Sequence, residues 1–173
     1  MSAARLIFVD ESGANTQMTR RYGRSPMGQR LVCSVPHGHY QTTTLIAAVS
    51  LQGPQSPWLW DGPMDGEGFL AWVQAGLVPE LQRDDVVILD NLATHKVAGV
   101  REAIEAAGAR LEYLPPYSPD FNPIEPMWSK VKQGIKSREP RTARQLLKAA
   151  GAAFATVTPE DCQGFFLSAG YAT

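Results

Sequence analysis

A run of four apolar residues, Val86–Leu89 (VVIL), does most to limit what this chain of 173 residues can fold into. An uninterrupted apolar run of this length, ended by the polar pair Asp90-Asn91, is typical of a β-strand whose two faces are both covered. Segments 66–81 and 95–107, on either side of it, carry apolar residues at helical spacing. The run therefore predicts a sheet with helices packed on both faces.

The remaining segments predict an order of strands and helices. Four further strands are predicted at 5–9 (RLIFV), 30–35 (RLVCSV), 40–51 (YQTTTLIAAVSL) and 109–114 (ARLEYL). The Pro- and Gly-rich segment 54–63 predicts a loop, and further helices are predicted at 123–137, 142–157 and Pro159–Ser168. The short Pro/Gly connection at 36–39 favours a hairpin, and hence antiparallel pairing, between the second and third strands. We therefore expect one α/β domain, 1–173, with a mixed sheet.

The composition is that of an ordinary globular protein, with 44% hydrophobic and 19% charged residues, and it excludes a disordered chain. No apolar run is long enough to span a membrane, and the opening MSAARLIFVDESG lacks the apolar stretch of a signal peptide. Cys33 and Cys162 lie far apart and form no metal-type pair, which favours reduced, buried thiols. These features predict a cytoplasmic protein.

The net charge is only −1, but the charges are unevenly distributed. Residues 58–90 contain seven acidic residues and one basic residue, whereas residues 128–148 contain seven basic residues and one acidic residue. A second basic group near the start consists of Arg20, Arg21, Arg24 and Arg30. A local surplus of positive charge can hold phosphates even where the total cancels, although solvated helix faces give similar counts. The distribution is therefore compatible with a nucleic-acid partner without requiring one.

Three acidic residues stand where a metal site could form. Asp10 and Asp90 each follow an apolar strand, and ligands gather at the carboxyl ends of strands in open α/β sheets. Glu125 lies in the first turn of a helix after a stiff proline-rich loop, where Asn122 is a good N-cap and Pro123 a good first residue. Crowded carboxylates need a cation, and their hard oxygens suit two Mg²⁺ or Mn²⁺ ions. Two such ions stabilise an in-line displacement at phosphorus.

Each acid has a plainer interpretation when it is taken alone. Asp10 and Asp90 could belong to turns, and Glu125 could make an ordinary favourable contact with its helix dipole. The aromatic residues Tyr117 and Trp128 suit packing better than stacking on DNA. The metal site is therefore predicted by the combination of residues and not by any one of them.

This combination resembles the DDE-superfamily endonuclease domain of insertion-sequence transposases, the bacterial relatives of mariner transposons. The matching stretches are FVDESG around Asp10, VVILDNLATHK around Asp90 and LPPYSPDFNPIEPMWSKVK around Glu125, with 34 residues between Asp90 and Glu125. The last stretch is long and specific, and the resemblance extends to the closing segment 164–171.

The resemblance implies an RNase H-like fold, in which a five-stranded mixed sheet has its first three strands antiparallel and is flanked by helices. It implies that Asp10, Asp90 and Glu125 are catalytic and hold two Mg²⁺ ions, for which Mn²⁺ can substitute. The implied reaction is cleavage of a DNA strand at the transposon end and transfer of its 3′-OH into target DNA, within a synaptic homodimer that commonly inserts at TA dinucleotides. Asn91 and His95 match the family's DN-x-x-x-H segment and are expected behind the acids or near the DNA, although His95 could also be a plain surface histidine.

Transposases of this kind carry helix-turn-helix modules ahead of the catalytic domain, and the sequence before Asp10 has no room for one. We therefore expect that region to be absent from this chain, which could be the second of two reading frames joined by frameshifting, a truncated remnant or an excised catalytic domain. A separately encoded helix-turn-helix protein could then be its partner. A catalytically inactive remnant that binds DNA or a partner protein is the main alternative function. A phosphotransferase of the haloacid-dehalogenase type is disfavoured, since Ser12 stands where those enzymes carry a second aspartate.

Overall fold

The computed structural model describes residues 2–20, 22–36, 40, 42–116 and 118–172. Its strands are β1 (Leu6–Asn15), β2 (Thr42–Ser50), β3 (Gly53–Asp61), β4 (Val86–Leu89) and β5 (Arg110–Tyr113). Its helices are α1 (Gly66–Trp72), α2 (Val100–Ala106), α3 (Ile124–Arg138), α4 (Ala143–Phe154) and α5 (Pro159–Ser168). Short turns of helix occur at Ala3–Arg5, Val73–Leu77, Val78–Glu80, Ala93–Lys96 and Pro119–Phe121. None of the helices in these ranges is long and apolar enough to cross a membrane.

The five strands form one mixed sheet in the order β3-β2-β1-β4-β5. β2 is antiparallel to both β1 and β3, while β4 is parallel to both β1 and β5. The predicted five-stranded mixed sheet, with its first three strands antiparallel, is therefore confirmed.

Successive residues of β1 face opposite sides of the sheet, and this alternation divides the core into two clusters. Phe8 packs with residues of α3, α4 and α5 on one face, where its ring centroid lies 5.5 Å from that of Phe166. Val9 packs with Phe69 of α1 and with residues of α2 on the other face. Residues of β4 enter both clusters, so this strand is covered on both faces as its sequence predicts.

The predicted strand at 30–35 is wrong, because none of these residues belongs to a strand. Leu31, Val32 and Val35 are 47%, 85% and 69% exposed, so the core does not use their apolar side chains. The predicted hairpin is therefore wrong as well, and residues 37–39 of its connection lie outside the described residues. A short apolar run forms a strand only where a neighbouring strand pairs with it, which composition alone does not reveal. Cys33 in this segment is exposed rather than buried, whereas Cys162 is buried as expected.

The predicted loop at 54–63 is also wrong, because most of it belongs to β3. The hairpin of this sheet joins β2 to β3 through a tight turn, in which Gly53 adopts φ +135°. β3 tolerates proline because it lies at the edge of the sheet, where a missing N–H need not break a hydrogen-bond ladder. Ser56, at φ +45°, and Pro57 stand where the register with β2 shifts. Proline and glycine here indicate an irregular edge strand and not a loop.

Two other differences affect the residues of interest. β1 continues past Asp10, which therefore lies inside a strand rather than after one. The predicted helix 95–107 is shorter, because Gly99 adopts φ +96° and α2 begins only after it. His95 lies instead in the short turn that precedes this glycine.

Candidate active site

Asp10 and Asp90 lie just past the point where the parallel ladder between the neighbouring strands β1 and β4 ends. β1 pairs with β4 only from Leu6 to Phe8, and Asp10 comes two residues after that ladder. Asp90 directly follows β4. Since both strands run in the same direction, the two carboxylates reach the same edge of the sheet. This is the placement that their sequence positions predict.

Glu125 reaches this edge from the first turn of α3. Asn122 is buried, and its Oδ1 accepts a hydrogen bond from the backbone N–H of Ile124 at 3.3 Å. The backbone carbonyl of Asn122 accepts another from the N–H of Glu125 at 3.2 Å. Pro123 has φ −66°, which already suits a helix. The loop therefore fixes the start of α3 and the position of Glu125, while Tyr117 of the same loop lies outside the described residues.

The three acids line one cavity of about 390 Å³. Its other walls come from the turn after β4 and from the proline-rich loop before α3, namely Asn91, Leu92, Leu114, Pro115, Pro116, Ser118, Pro119 and Asn122. Asn91 thus lies beside the acids, as the family segment implied. Within the described part of the chain, no three Asp, Glu, His or Cys side chains converge closely enough to form a ready metal centre. The acids therefore share a cavity without forming a complete coordination sphere.

The donor chemistry of this cavity fits a hard divalent cation. The acidic side chains that line it offer carboxylate oxygens, which are the ligands that Mg²⁺ and Mn²⁺ prefer. Like charges keep carboxylates apart until a cation neutralises them. A rotation of side chains on binding would therefore be needed to bring Asp10, Asp90 and Glu125 together.

Asp10 shows the combined effect of burial and of neighbouring acids. Burial, followed by the charge of Glu11 and the smaller effects of Glu125 and Asp90, raises the pKa of Asp10 to about 7, although a hydrogen bond from the Glu11 backbone opposes the shift. Trp128 Nε1 donates a hydrogen bond to Asp10 Oδ2 at 3.1 Å, and Trp128 is only 2% exposed. Trp128 therefore does more than pack, since it connects α3 to the acid on β1.

His95 is fully buried behind Asp90, so it is not a surface histidine. Its Nε2 lies 2.8 Å from Glu11 Oε2, and its Nδ1 lies 2.6 Å from Asp90 Oδ1. The first contact is a hydrogen bond, whereas the second is an ion pair by distance whose direction is poor for a hydrogen bond. Burial alone would lower the pKa of His95, but Glu11, Asp90 and Asp10 together raise it above its ordinary value. A ring protonated at both nitrogens would serve both carboxylates.

Glu11 is the residue of this group that the sequence analysis missed. The first predicted strand ends at Val9, which leaves Glu11 in the segment after it, and an acid outside a strand or helix has no defined direction. The strand in fact continues, so Asp10 and Glu11 face opposite sides of the sheet. Asp10 meets Trp128 on the α3 side, and Glu11 meets His95 on the α1 side. If the first strand had been predicted to extend past Glu11, the alternation of its side chains would have placed Glu11 on the face opposite to Asp10.

The basic residues of segment 128–148 lie on α3, on α4 and between them. Lys130 is paired with Asp161, and Arg141 with Glu139, so these two charges already have partners. The other basic side chains of this segment are partly or fully exposed, namely Lys132, Lys136, Arg138, Arg144 and Lys148. A second cavity, of about 420 Å³, lies between α3 and the basic group near the start of the chain. It is lined by Arg20, Tyr22, Gln133 and Lys136. Arg21 lies outside the described residues.

The family model described as DDE superfamily endonuclease matches residues 5–147 of this chain. The match includes all three acids and confirms the resemblance that the sequence motifs indicated. None of the curated proteins gives a significant match.

Solved structures of Mos1 transposase have a similar fold. The pre-cleavage Mos1 transpososome matches with a TM-score of 0.70 and 15% identity, over 99% of this chain and 57% of that chain. The Mos1 strand transfer complex matches with a TM-score of 0.71 and 16% identity, over 96% and 51%. The catalytic domain of Mos1 mariner transposase matches with a TM-score of 0.64 and 15% identity, over 99% and 85%. This chain spans little more than half the length of the first two proteins, and the similarity establishes the RNase H-like fold alone.

Proposed function

This chain belongs to the DDE superfamily of endonucleases, and from that premise we propose that it is the catalytic domain of a transposase. The proposed reaction is cleavage of a DNA strand at a transposon end and transfer of the 3′-OH into target DNA. The observation that supports it most directly is the placement of Asp10, Asp90 and Glu125. These acids come from β1, β4 and α3, which are distant in the sequence, and they line one cavity.

Asp10, Asp90 and Glu125 are the residues that would hold two Mg²⁺ or Mn²⁺ ions. Two such ions, when bound, would stabilise the attacking and leaving oxygens of an in-line displacement at phosphorus. Mos1 paired-end complexes are described with Mn and with Mg, which supports this choice of metal. In this chain Trp128 orients Asp10, and the N–H of Leu92 donates to Asp90 Oδ1 at 3.0 Å. Glu125 is exposed at the start of its helix and lines the same cavity as the two aspartates.

We further propose that DNA passes beside the cavity along α3 and α4. The helix that begins next to Glu125 carries Lys132 and Lys136, so a phosphate backbone that enters the cavity would meet these cations. One Mos1 structure is described as a paired-end complex with the left transposon end. From the family resemblance, the partners proposed for this chain are transposon-end DNA, target DNA and a second copy in a synaptic homodimer.

The substitution Asp90→Asn tests the assignment, because it removes a charge while it preserves the size of the side chain. We expect the substituted chain to lose Mn²⁺-dependent nicking of supercoiled DNA, and we expect the same of Asp10→Asn and Glu125→Gln. Asp84→Asn is a matched control. Asp84 is exposed in the turn before β4, and its φ of +69° is one that Asn also adopts, so nicking should be unchanged.

Binding of the same DNA is measured in EDTA by gel shift, so that loss of cleavage is separated from loss of binding. Full nicking by the Asp90→Asn chain would contradict the proposed site. DNA binding without nicking by the unsubstituted chain would support the inactive remnant instead. Strand transfer is tested separately with pre-cleaved ends, which need only the joining step.

A further inference from the structure

We infer that Glu11 is a positioning residue, which acts through His95 to hold the Asp90 carboxylate so that one of its oxygens is left to face the cavity. This inference rests on the proposed function of Asp90 as a metal ligand. It concerns the side of β1 opposite to the one that carries Asp10, and it gives Glu11 a role that the family resemblance does not assign.

His95 is held from several directions, so its ring works as a rigid spacer. It is fully buried, and its centroid lies 4.4 Å from that of Phe69. Its backbone N–H donates to the carbonyl of Leu92 at 3.2 Å, and its own carbonyl accepts a hydrogen bond from Tyr113 Oη at 3.3 Å. With the backbone and the ring face both fixed, the two ring nitrogens have fixed positions. A carboxylate that contacts one ring nitrogen therefore helps to set the position of the other nitrogen relative to its own partner.

The contacts of Asp90 all fall on one oxygen. Its Oδ1 accepts the N–H of Leu92 at 3.0 Å and lies 2.6 Å from His95 Nδ1. Among the described residues, no hydrogen bond or ion pair to Asp90 Oδ2 accompanies these contacts. The carboxylate is therefore tethered through Oδ1, and Oδ2 is the atom left for a cation in the cavity.

Glu11 completes this arrangement from the other end of the ring. Its side chain is only 16% exposed, and Oε2 lies 2.8 Å from His95 Nε2. If Glu11 were absent, Nε2 would be a buried polar atom without this partner, and the ring would lose one of the contacts that keep Nδ1 at 2.6 Å from Asp90 Oδ1. A carboxylate bonded to a histidine serves the same purpose at metal sites where the histidine is itself the ligand. Here the histidine would instead hold the ligand.

Four variants and a double variant test the inference, with Mn²⁺ affinity measured by titration calorimetry in the absence of DNA. Glu11→Ala and His95→Ala should each weaken Mn²⁺ binding by roughly 10–100-fold, the usual effect of removing such a supporting residue. The double variant should be no weaker than His95→Ala alone, because the two residues act as one chain of contacts. Urea unfolding of each variant shows that it is folded before affinity is compared.

Two conservative variants distinguish position from charge. Glu11→Gln keeps the reach and an acceptor oxygen but loses the charge, whereas Glu11→Asp keeps the charge but is shorter by one carbon, about 1.5 Å. We expect Glu11→Asp to weaken Mn²⁺ binding more than Glu11→Gln does. Because both changes are small, they also keep the test available if an alanine variant does not fold. Glu160→Gln, at an exposed position of α5, is the matched control and should bind as the unsubstituted chain does.

The reverse order, with Glu11→Gln the weaker binder, would overturn the inference, and so would additive losses in the double variant. Asp90→Asn is measured alongside. If Asp90→Asn abolishes Mn²⁺ binding while the Glu11 and His95 variants bind normally, only the positioning role is refuted. If Asp90→Asn also binds normally, or if the unsubstituted chain binds no Mn²⁺, the proposed metal site and the inference both fall.

Discussion

The substitution Asp10→Asn should stabilise the metal-free protein at neutral and higher pH. The crowded carboxyl of Asp10 has a pKa of about 7 in the folded chain, against an ordinary value of 3.8. Between these two values the folded state holds a proton that the unfolded state has lost. The stability from this proton is therefore fully present below pH 3.8 and is lost as the pH rises through 7.

The size of the effect follows from the difference between these pKa values. The difference is about 3 pH units, and at 1.36 kcal/mol per unit it corresponds to about 4 kcal/mol. Asp10 is not completely buried, so screening by solvent reduces this upper value. We expect the Asp10→Asn chain to be more stable than the unsubstituted chain by about 2–4 kcal/mol at pH 8 and nearly equal to it near pH 4.

The assay is urea unfolding of both chains in EDTA at a series of pH values from 4 to 8. The titration of His95 acts in the same direction, because its raised pKa also favours the folded state at low pH. Since His95 is present in both chains, most of its contribution cancels, because Asp10 is the smallest of the three acidic causes that raise the pKa of His95. If the difference in unfolding free energy between the two chains does not grow with pH, the raised pKa of Asp10 is not its cause. A less stable Asp10→Asn chain at pH 8 would show that the hydrogen bond from Trp128 outweighs the repulsion.

Three further predictions concern packing and capping, and urea unfolding checks each of them. Trp128→Phe should lower the unfolding free energy at pH 8 by about 2–4 kcal/mol, since it removes the hydrogen bond to Asp10 and leaves unfilled space; a loss under about 1 kcal/mol would contradict a role beyond packing. Thr158→Ala should cost about 1 kcal/mol, because Thr158 caps α5 in a reciprocal pair with Asp161, and an unchanged midpoint would refute this. Phe166→Ala should cost about 3–5 kcal/mol from the core, and a change below about 1 kcal/mol would indicate that α5 does not hold the sheet.

The sequence predicted the architecture better than it predicted the segments that build it. Val86–Leu89 could be identified as a covered strand because every residue in it is apolar, and both faces are indeed buried. The predicted strand at 40–51 corresponds to β2, whereas apolar content wrongly favoured a strand at 30–35, and the proline and glycine residues of β3 wrongly favoured a loop. Pairing with a neighbouring strand decides which of these segments becomes a strand, and such pairing depends on residues far away in the chain.

The three acids of the candidate site, and His95 behind them, could be proposed from the sequence, whereas the contacts that hold the acids could not. Asp90 and Glu125 stand at ends of elements, Asp10 lies just past the ladder between β1 and β4, and all three belong to motifs long enough to be specific. The contacts of Trp128 with Asp10 and of His95 with Glu11 join residues that are 118 and 84 positions apart. Such contacts depend on which face of β1 each acid occupies. That face can be assigned only when it is known where β1 ends.

The negative charges on the two sides of β1 are compensated unequally. On the side of His95, Glu11 and Asp90 share a ring that can carry a positive charge. On the cavity side, the ion pairs of the described residues include neither Asp10 nor Glu125. The cavity therefore has an uncompensated negative charge, and a divalent cation would supply the positive charge that balances it.

Cation binding should consequently oppose the loss of stability at high pH. A cation that binds only the folded state at 100 times its Kd stabilises it by about 2.7 kcal/mol, which is comparable to the loss expected from Asp10. We expect Mg²⁺ to raise the unfolding free energy at pH 8 and to do little near pH 4, where Asp10 is protonated and cannot bind it. The Asp10→Asn chain should show a much smaller gain at pH 8. An equal gain at both pH values, or in both chains, would mean that Mg²⁺ stabilises the fold at some other site.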